Sequence, residues 1–397
     1  VVKEVKERFH FLDGLRGIAS LMIVIHHAFT ANIVKGINHL GIPYLGHYIA
    51  CFTQSGVELF FVLSGVVLLR PYLRKQRQFR TVDYLLRRIK RIYPPYLVAL
   101  LFAAGVCWYI HAYPTWYNTK VYHMVFYWPE IFWESFIINF SGQYYNLAWW
   151  SLGIEMLFYF LVPLILLVFP WRQKMSALRM TLLITVTMVV SVSLQLWLTR
   201  YHPEIYAYKQ QINQPPLRLC IYQAICYPVC FLLGIILAAR DFAARQAYVF
   251  IVPGLVLAGA SIFYLPLVNP GYGLIYAGII ILSFNVPAFK RFLSKPIMIW
   301  LGERSYSLFL VHFSVFYLMD SVAARYTSSA SIAYAVFSRG VGIPVAFLAA
   351  MTLFYFVERK QAKGLVTGNM FWPWQAGKIS GLDQSNHVEQ KSVSDNL

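Results

Sequence analysis

Arg16 and His27 stand 11 residues apart, at the start of and within an apolar run (17–34) that carries no acid and no other Lys or Arg. In an α-helix this spacing returns to within about 20° of the same direction, so both side chains lie on one face, about 16 Å apart along the axis. A guanidinium near the surface suits a phosphorylated, anionic ligand. A neutral imidazole deeper in suits removal of a proton from a hydroxyl. The adjacent His26 is turned about 100° away. The same pair also fits a snorkelling arginine and a helix-packing histidine, and spacing alone leaves both readings open.

Other groups of the same kind recur. Arg87, Arg88, Lys90 and Arg91 precede Ile92-Tyr93-Pro94-Pro95-Tyr96. Arg88 and Arg91 share a helical face at i, i+3, and paired guanidinium forks suit a nucleotide-bearing donor such as coenzyme A. A stop-transfer cluster against anionic lipid would look alike. Ser151, Glu155 and Tyr159 repeat at i, i+4 and i+8 and predict a polar stripe facing a bundle interior. Glu155 and Glu58 are buried acids that could orient an imidazole, bind sugar hydroxyls or pair with an arginine. His312 reads as a hydrogen-bonded packing residue. Cys226 and Cys230, at i, i+4, have no His or acid close by in sequence and read as small apolar residues. Walker A, dinucleotide, G-x-S-x-G and H-E-x-x-H motifs are absent.

The elements that must position these groups follow from composition. Of 397 residues 59% are hydrophobic and only 13% charged, too few to clothe a large soluble core. The net charge of +18 could suggest nucleic acid. In a chain this apolar, basic loops held at one membrane face are the better reading. Five cysteines, mostly in apolar runs, give neither a disulfide framework nor zinc spacing. Nothing near the N-terminus has the pattern of a cleavable signal. Apolar runs at 17–34, 45–69, 92–119, 147–171, 180–199, 219–239, 246–289 (two spans, broken at Pro266 and Asn269-Pro270-Gly271), 296–319 and 340–357 predict ten spanning helices. With the N-terminus inside, the inner segments together hold 25 Lys+Arg and the outer segments 7. The fold class expected is therefore an all-α polytopic membrane protein with both termini cytoplasmic. A cytoplasmic segment (1–13), a transmembrane domain (14–358) and a polar cytoplasmic tail (359–397) divide it, and 113–146 and 320–339 are among the segments expected to be external.

Six islands, in order, resemble the acyltransferase-3 family of integral membrane acyltransferases. They are Phe9-His10-Phe11-Leu12-Asp13-Gly14-Leu15-Arg16 with His27 at an R-x10-H spacing; Gly56-Val57-Glu58-Leu59-Phe60-Phe61-Val62-Leu63-Ser64-Gly65; Arg88-Ile89-Lys90-Arg91; Trp150-Ser151-Leu152-Gly153-Ile154-Glu155; Leu301-Gly302 through Ser305-Tyr306 to His312; and Glu358-Arg359. Glu58 stands where Asp is commoner, and Lys360 where the family often has Pro. The resemblance is to stand-alone members, without a fused SGNH hydrolase-like domain, that modify polysaccharides, lipopolysaccharide O-antigen, Nod factors or macrolides.

What the resemblance implies is a plasma- or inner-membrane O-acyltransferase moving an acyl group, expected to be acetyl, from cytoplasmic acyl-CoA to a hydroxyl of a glycan, glycolipid or related acceptor. Arg16, Arg88 and Arg91 would engage the donor, His27 would be the general base or an acyl relay, and Glu155 would act beside it. No metal is expected, because a thioester is already activated, and no nucleic acid. The competing class is a secondary transporter, since polar residues buried among ten helices also describe one.

Overall fold

The computed structural model describes residues 9–74, 79–115, 145–168, 176–201, 224–328 and 331–359. Most of the expected outer loop at 113–146 (residues 116–144), most of the N-terminal segment and nearly all of the polar tail lie outside the described residues. Among those described there is no strand. In chain order the helices are α1 (His10–His39), α2 (Pro43–Leu73), α3 (Thr81–Ala112), α4 (Trp150–Leu167), α5 (Ala177–Tyr201), α6 (Pro228–Ala239), α7 (Ala244–Ala260), α8 (Leu265–Asn285), α9 (Pro287–Leu293), α10 (Pro296–Tyr326) and α11 (Ile332–Glu358). Eight of them are long and apolar enough to cross a membrane, and α6 and α7 are shorter apolar helices. The protein is an all-α polytopic membrane protein. The described part of each apolar run is at least partly helical, although the runs at 92–119, 147–171 and 219–239 extend outside the described residues.

Three boundaries differ from the sequence expectation. Helix α3 starts at Thr81, well before the apolar run at 92–119, and so contains the basic cluster whose i, i+3 pair shares a helical face. Asp83 in its first turn complements the helix dipole there. The apolar run at 246–289 breaks at Ser261–Tyr264, not at Asn269-Pro270-Gly271. Pro266 and Pro270 fall in the opening turns of α8, where a missing N–H leaves no bond unmade. Gly271 instead serves close packing, because a methyl group there would lie 2.7 Å from the Ala258 backbone nitrogen. Finally, α10 runs to Tyr326 and α11 begins at Ile332, so most of the expected external segment 320–339 is helical.

Helix α1 lies along α10 at the centre of the bundle, with α2 on its other side. Small residues permit that contact. A methyl group at Gly302 would meet Asp13 O at 1.9 Å, and one at Gly17 would meet Gly302 N at 3.0 Å. Close backbone approach through small residues is how helices gain packing energy where lipid offers no hydrophobic drive. Among the positions described, only Gly41 has positive φ, at 74°, and it turns the chain from α1 into α2. Helix α1 is interrupted by a π-helical turn at His26–Thr30, and α11 by two more, at Val336–Val341 and Phe354–Glu358.

Candidate active site

Helices α1, α2, α3, α4 and α10 line a partly open cavity. Its polar lining comes from five separate stretches of sequence: Arg16, Ser64, Arg88 with Arg91, Ser151 with Glu155 and Tyr159, and Ser305 with Tyr306. Because α3 is helical through the basic cluster, the i, i+3 spacing turns Arg88 and Arg91 to the same side, toward Arg16. Arg16 interacts electrostatically with Arg91 and with the acids Asp13, Glu155 and Glu358. Among the lining residues three guanidinium groups face a single carboxylate, a field that favours an anionic ligand.

The polar wall is held in place. Tyr159 Oη and Ser64 Oγ both donate to Glu155 Oε1, the latter at 3.2 Å. Buried Arg88 lies over the rings of Tyr84 and Tyr159, 5.5 and 5.8 Å from their centroids. Tyr306 Oη donates to Ile92 O at 2.9 Å and ties α10 to α3. The Ser151–Glu155–Tyr159 stripe thus faces inward, as its period requires.

His27 does not line this cavity. Ile23 and Phe309 do, one helical turn before His27 and His312 respectively, so the cavity ends just short of a histidine pair. His27 Nδ1 lies 2.9 Å from His312 Nε2, and the two rings stack at 5.1 Å. His312 Nδ1 lies 2.9 Å from Leu308 O, which can only accept. His312 therefore carries its proton on Nδ1. With both rings neutral, its Nε2 lone pair accepts from His27 Nδ1–H, and His27 is left with a lone pair on Nε2. His26 turns elsewhere: its Nδ1 lies 3.0 Å from Thr53 Oγ1.

The structure thus joins Arg16, Arg88, Arg91 and Glu155 in one chamber and gives His27 a different neighbour from the acid that the sequence offered. Glu155 bonds Ser64 and Tyr159, and the imidazole's partner is His312. Sequence reasoning had singled out His312 as an ionisable group in a span, but the 285-residue separation from His27 hid the pairing. Glu58 is buried outside the cavity, and its Oε2 has no hydrogen-bond partner among the described residues. Among those residues no three His, Cys, Asp or Glu side chains group as a metal site would need. Asp320 and Arg339 were hidden within the expected external segment.

A family model described as an acyltransferase domain matches residues 9–357, nearly the whole chain. The chain belongs to the acyltransferase-3 family. Relatives are distant. A Rhizobium radiobacter protein named "Protein 2 in picA locus" is 36% identical over 113 residues, 28% of this chain and 52% of that one. A Komagataeibacter xylinus protein named "Putative membrane-bound transacylase BcsY" is 29% identical over 170 residues, 42% of this chain and 39% of that one. A Staphylococcus aureus (strain COL) protein named "Putative O-acetyltransferase" is 24% identical over 333 residues, 78% of this chain and 51% of that one. The chain therefore spans about half, or less, of the length of these curated relatives. No solved structure matches it. Within this acyltransferase-3 chain the R-x10-H, R-x-x-R and W-S-L-x-x-E islands supply the cavity's cations and acid, while the L-G-x-x-S-Y…H island supplies both Gly302 and His312.

Proposed function

We propose that the protein is a membrane O-acyltransferase that takes an acyl group, acetyl in the simplest case, from cytoplasmic acyl-CoA and transfers it to a hydroxyl of a glycan or lipid-linked glycan. The observation that carries this reading is the position of the cavity. Three arginines gather at it, and its far end stops one helical turn from an imidazole whose Nε2 is left as an acceptor. Arg16, Arg88 and Arg91 engage the phosphates of the donor by bidentate, charge-assisted hydrogen bonds. The acceptor hydroxyl gives its proton to His27 Nε2 as its oxygen bonds to the thioester carbonyl carbon. The carbon–sulfur bond then breaks, and the proton passes from His27 to the departing thiolate. His312 holds the imidazole in the tautomer this requires, a role that a carboxylate or carbonyl fills in other catalytic histidines. Glu155, fixed by Tyr159 and Ser64, offers its carboxylate to the ligand in the chamber.

In this reading the ten apolar helices all cross the plasma or inner membrane, and both termini are cytoplasmic, in keeping with the Lys+Arg bias. The transferase chemistry is tested directly with detergent-purified protein, radiolabelled acetyl-CoA and a panel of glycan acceptors. Label transfer with release of free thiol, lost in His27→Ala, is the expected result. Absence of both thiol release and transfer with every acyl-CoA supplied, from protein that binds none of them, would remove the donor assignment.

A further inference from the structure

An ion pair between a buried acid and a partly buried guanidinium lies on the far side of His27 from the arginine cavity. Asp320, on α10, is 4% exposed. Arg339, in the first π-helical turn of α11, grips it with a two-point fork: Nη1 to Oδ1 at 2.7 Å and Nη2 to Oδ2 at 3.0 Å. Tyr334 Oη adds a third donor to Oδ1 at 3.0 Å. The guanidinium's Nε–H does not go to a side chain. It donates to Ala28 O at 2.9 Å. Ala28 follows His27 directly and lies within the π-helical turn His26–Thr30. The guanidinium also covers the ring of Phe316, 5.2 Å from its centroid, and that ring stands edge-on to His312 at 6.0 Å.

We propose that the Asp320–Arg339 pair is a positioning device for the acyl-transfer histidine, holding the backbone at Ala28 so that the π-helical turn presents His27 Nδ1 to His312 Nε2. The inference rests on the reading of His27 as the base. Two physical arguments support it. Charged groups inside spanning helices are expensive, and this pair offers no cation or anion to the cavity. A π-helical turn departs from the regular bond ladder, and turns of this kind cluster at functional sites. Here an outside donor meets it one residue from the imidazole. Only arginine has the donors to do both jobs. Its terminal nitrogens satisfy Asp320 while Nε reaches sideways to the carbonyl. A lysine could keep the charge pair but not the bond to Ala28.

The decisive variant is therefore Arg339→Lys, with Arg339→Gln beside it and His27→Ala as reference, all in the purified full chain. Turnover with acetyl-CoA and ¹⁵N-histidine spectra are read together, and the His27 signals are assigned by their loss in His27→Ala. Expected for Arg339→Lys is a fall in kcat of roughly 10- to 100-fold, the scale set by small misplacements of a reacting group. The KM for acetyl-CoA should stay within about twofold, since no donor contact is touched. The two ring nitrogens of His27, distinct in the parent, should move toward averaged shifts as the fixed tautomer is lost. Unchanged ring signals overturn the proposal, whether turnover is normal or has fallen together with thermal stability. Should Arg339→Gln fail to fold, Arg339→Lys alone decides between these outcomes. If His27→Ala remains active while Arg339→Lys still averages the ring signals, the positioning device stands and the base assignment falls.

Discussion

His27 Nδ1 and His312 Nε2 are hydrogen-bonded at 2.9 Å, and Leu308 O, bonded to the far side of His312, sets which proton lies between them. Removing the acceptor should therefore free the His27 ring without touching the arginine chamber. His312→Ala is expected to lower kcat about tenfold or more with little change in the KM for acetyl-CoA. His312→Gln, which keeps an acceptor oxygen, should fall between it and the parent. Steady-state kinetics on the three proteins check the order, and equal loss in both variants would make His312 a packing residue.

His26 and His27 are neighbours in sequence but have separate partners, Thr53 and His312. Substituting His27 by Ala should cost on the order of 10²-fold or more in transfer rate, the usual scale for a missing general base. His26→Ala should retain most activity. The comparison uses protein shown by gel filtration to be folded.

Arg88 and Arg91 distinguish donor binding from topology. Lysine at either position keeps the positive charge but loses the planar fork. Arg88→Lys and Arg91→Lys should insert normally, raise the half-saturating acetyl-CoA concentration several-fold and leave maximal rate comparatively spared. Full rescue by lysine at both positions would return the cluster to an orienting basic face. The glutamine variants should show the same binding loss, and any insertion defect in them is measured separately by membrane fractionation.

Gly302 tests the central packing. A methyl group there would lie 1.9 Å from Asp13 O, so Gly302→Ala forces α1 away from α10. Overpacking of this kind typically costs about 1–3 kcal/mol. The melting temperature of the purified variant should fall, and activity with it, because Arg16 and His27 ride on α1 while Tyr306 and His312 ride on α10.

Sidedness can be read at two described positions. If α1 leads outward, Lys35 near its end and Asp241 beyond α6 face opposite compartments. Single cysteines there should differ in labelling by an impermeant maleimide in intact cells. Cys51, Cys107, Cys226 and Cys230 are buried, and Cys220, outside the described residues, is replaced by Ser in the parent used for labelling. Equal labelling would break the proposed ten-crossing count.

How far the sequence could be read differs by residue. The apolar runs were legible as helical, because hydrophobic length is a local property, although only eight of the described helices are long enough to span and α6 and α7 are shorter. Arg16 and Glu155 stood out as ionisable groups at or within apolar stretches, and Arg88 with Arg91 as a guanidinium pair on one helical face; all four line the cavity. The turn at Ser261–Tyr264 was misplaced at Asn269-Pro270-Gly271, because proline and glycine mark a helix start and a close crossing as readily as a loop. The His27–His312 bond and the Arg339–Ala28 bond were not legible, because each joins positions roughly 300 residues apart, and one of them ends on a backbone carbonyl that has no side-chain signature.

The hydrogen bond from His312 to Leu308 O has a further consequence for proton traffic. A peptide carbonyl cannot release a proton that it never held, so the line from His27 through His312 has no exit beyond Leu308. It is a cul-de-sac and not a wire. Any proton that His27 gains at Nε2 must leave by the same nitrogen, on the side where it was acquired. A relay that discharged protons through the bundle to the opposite compartment would need a second route, and acyl transfer at this histidine should run without coupling to the transmembrane proton gradient.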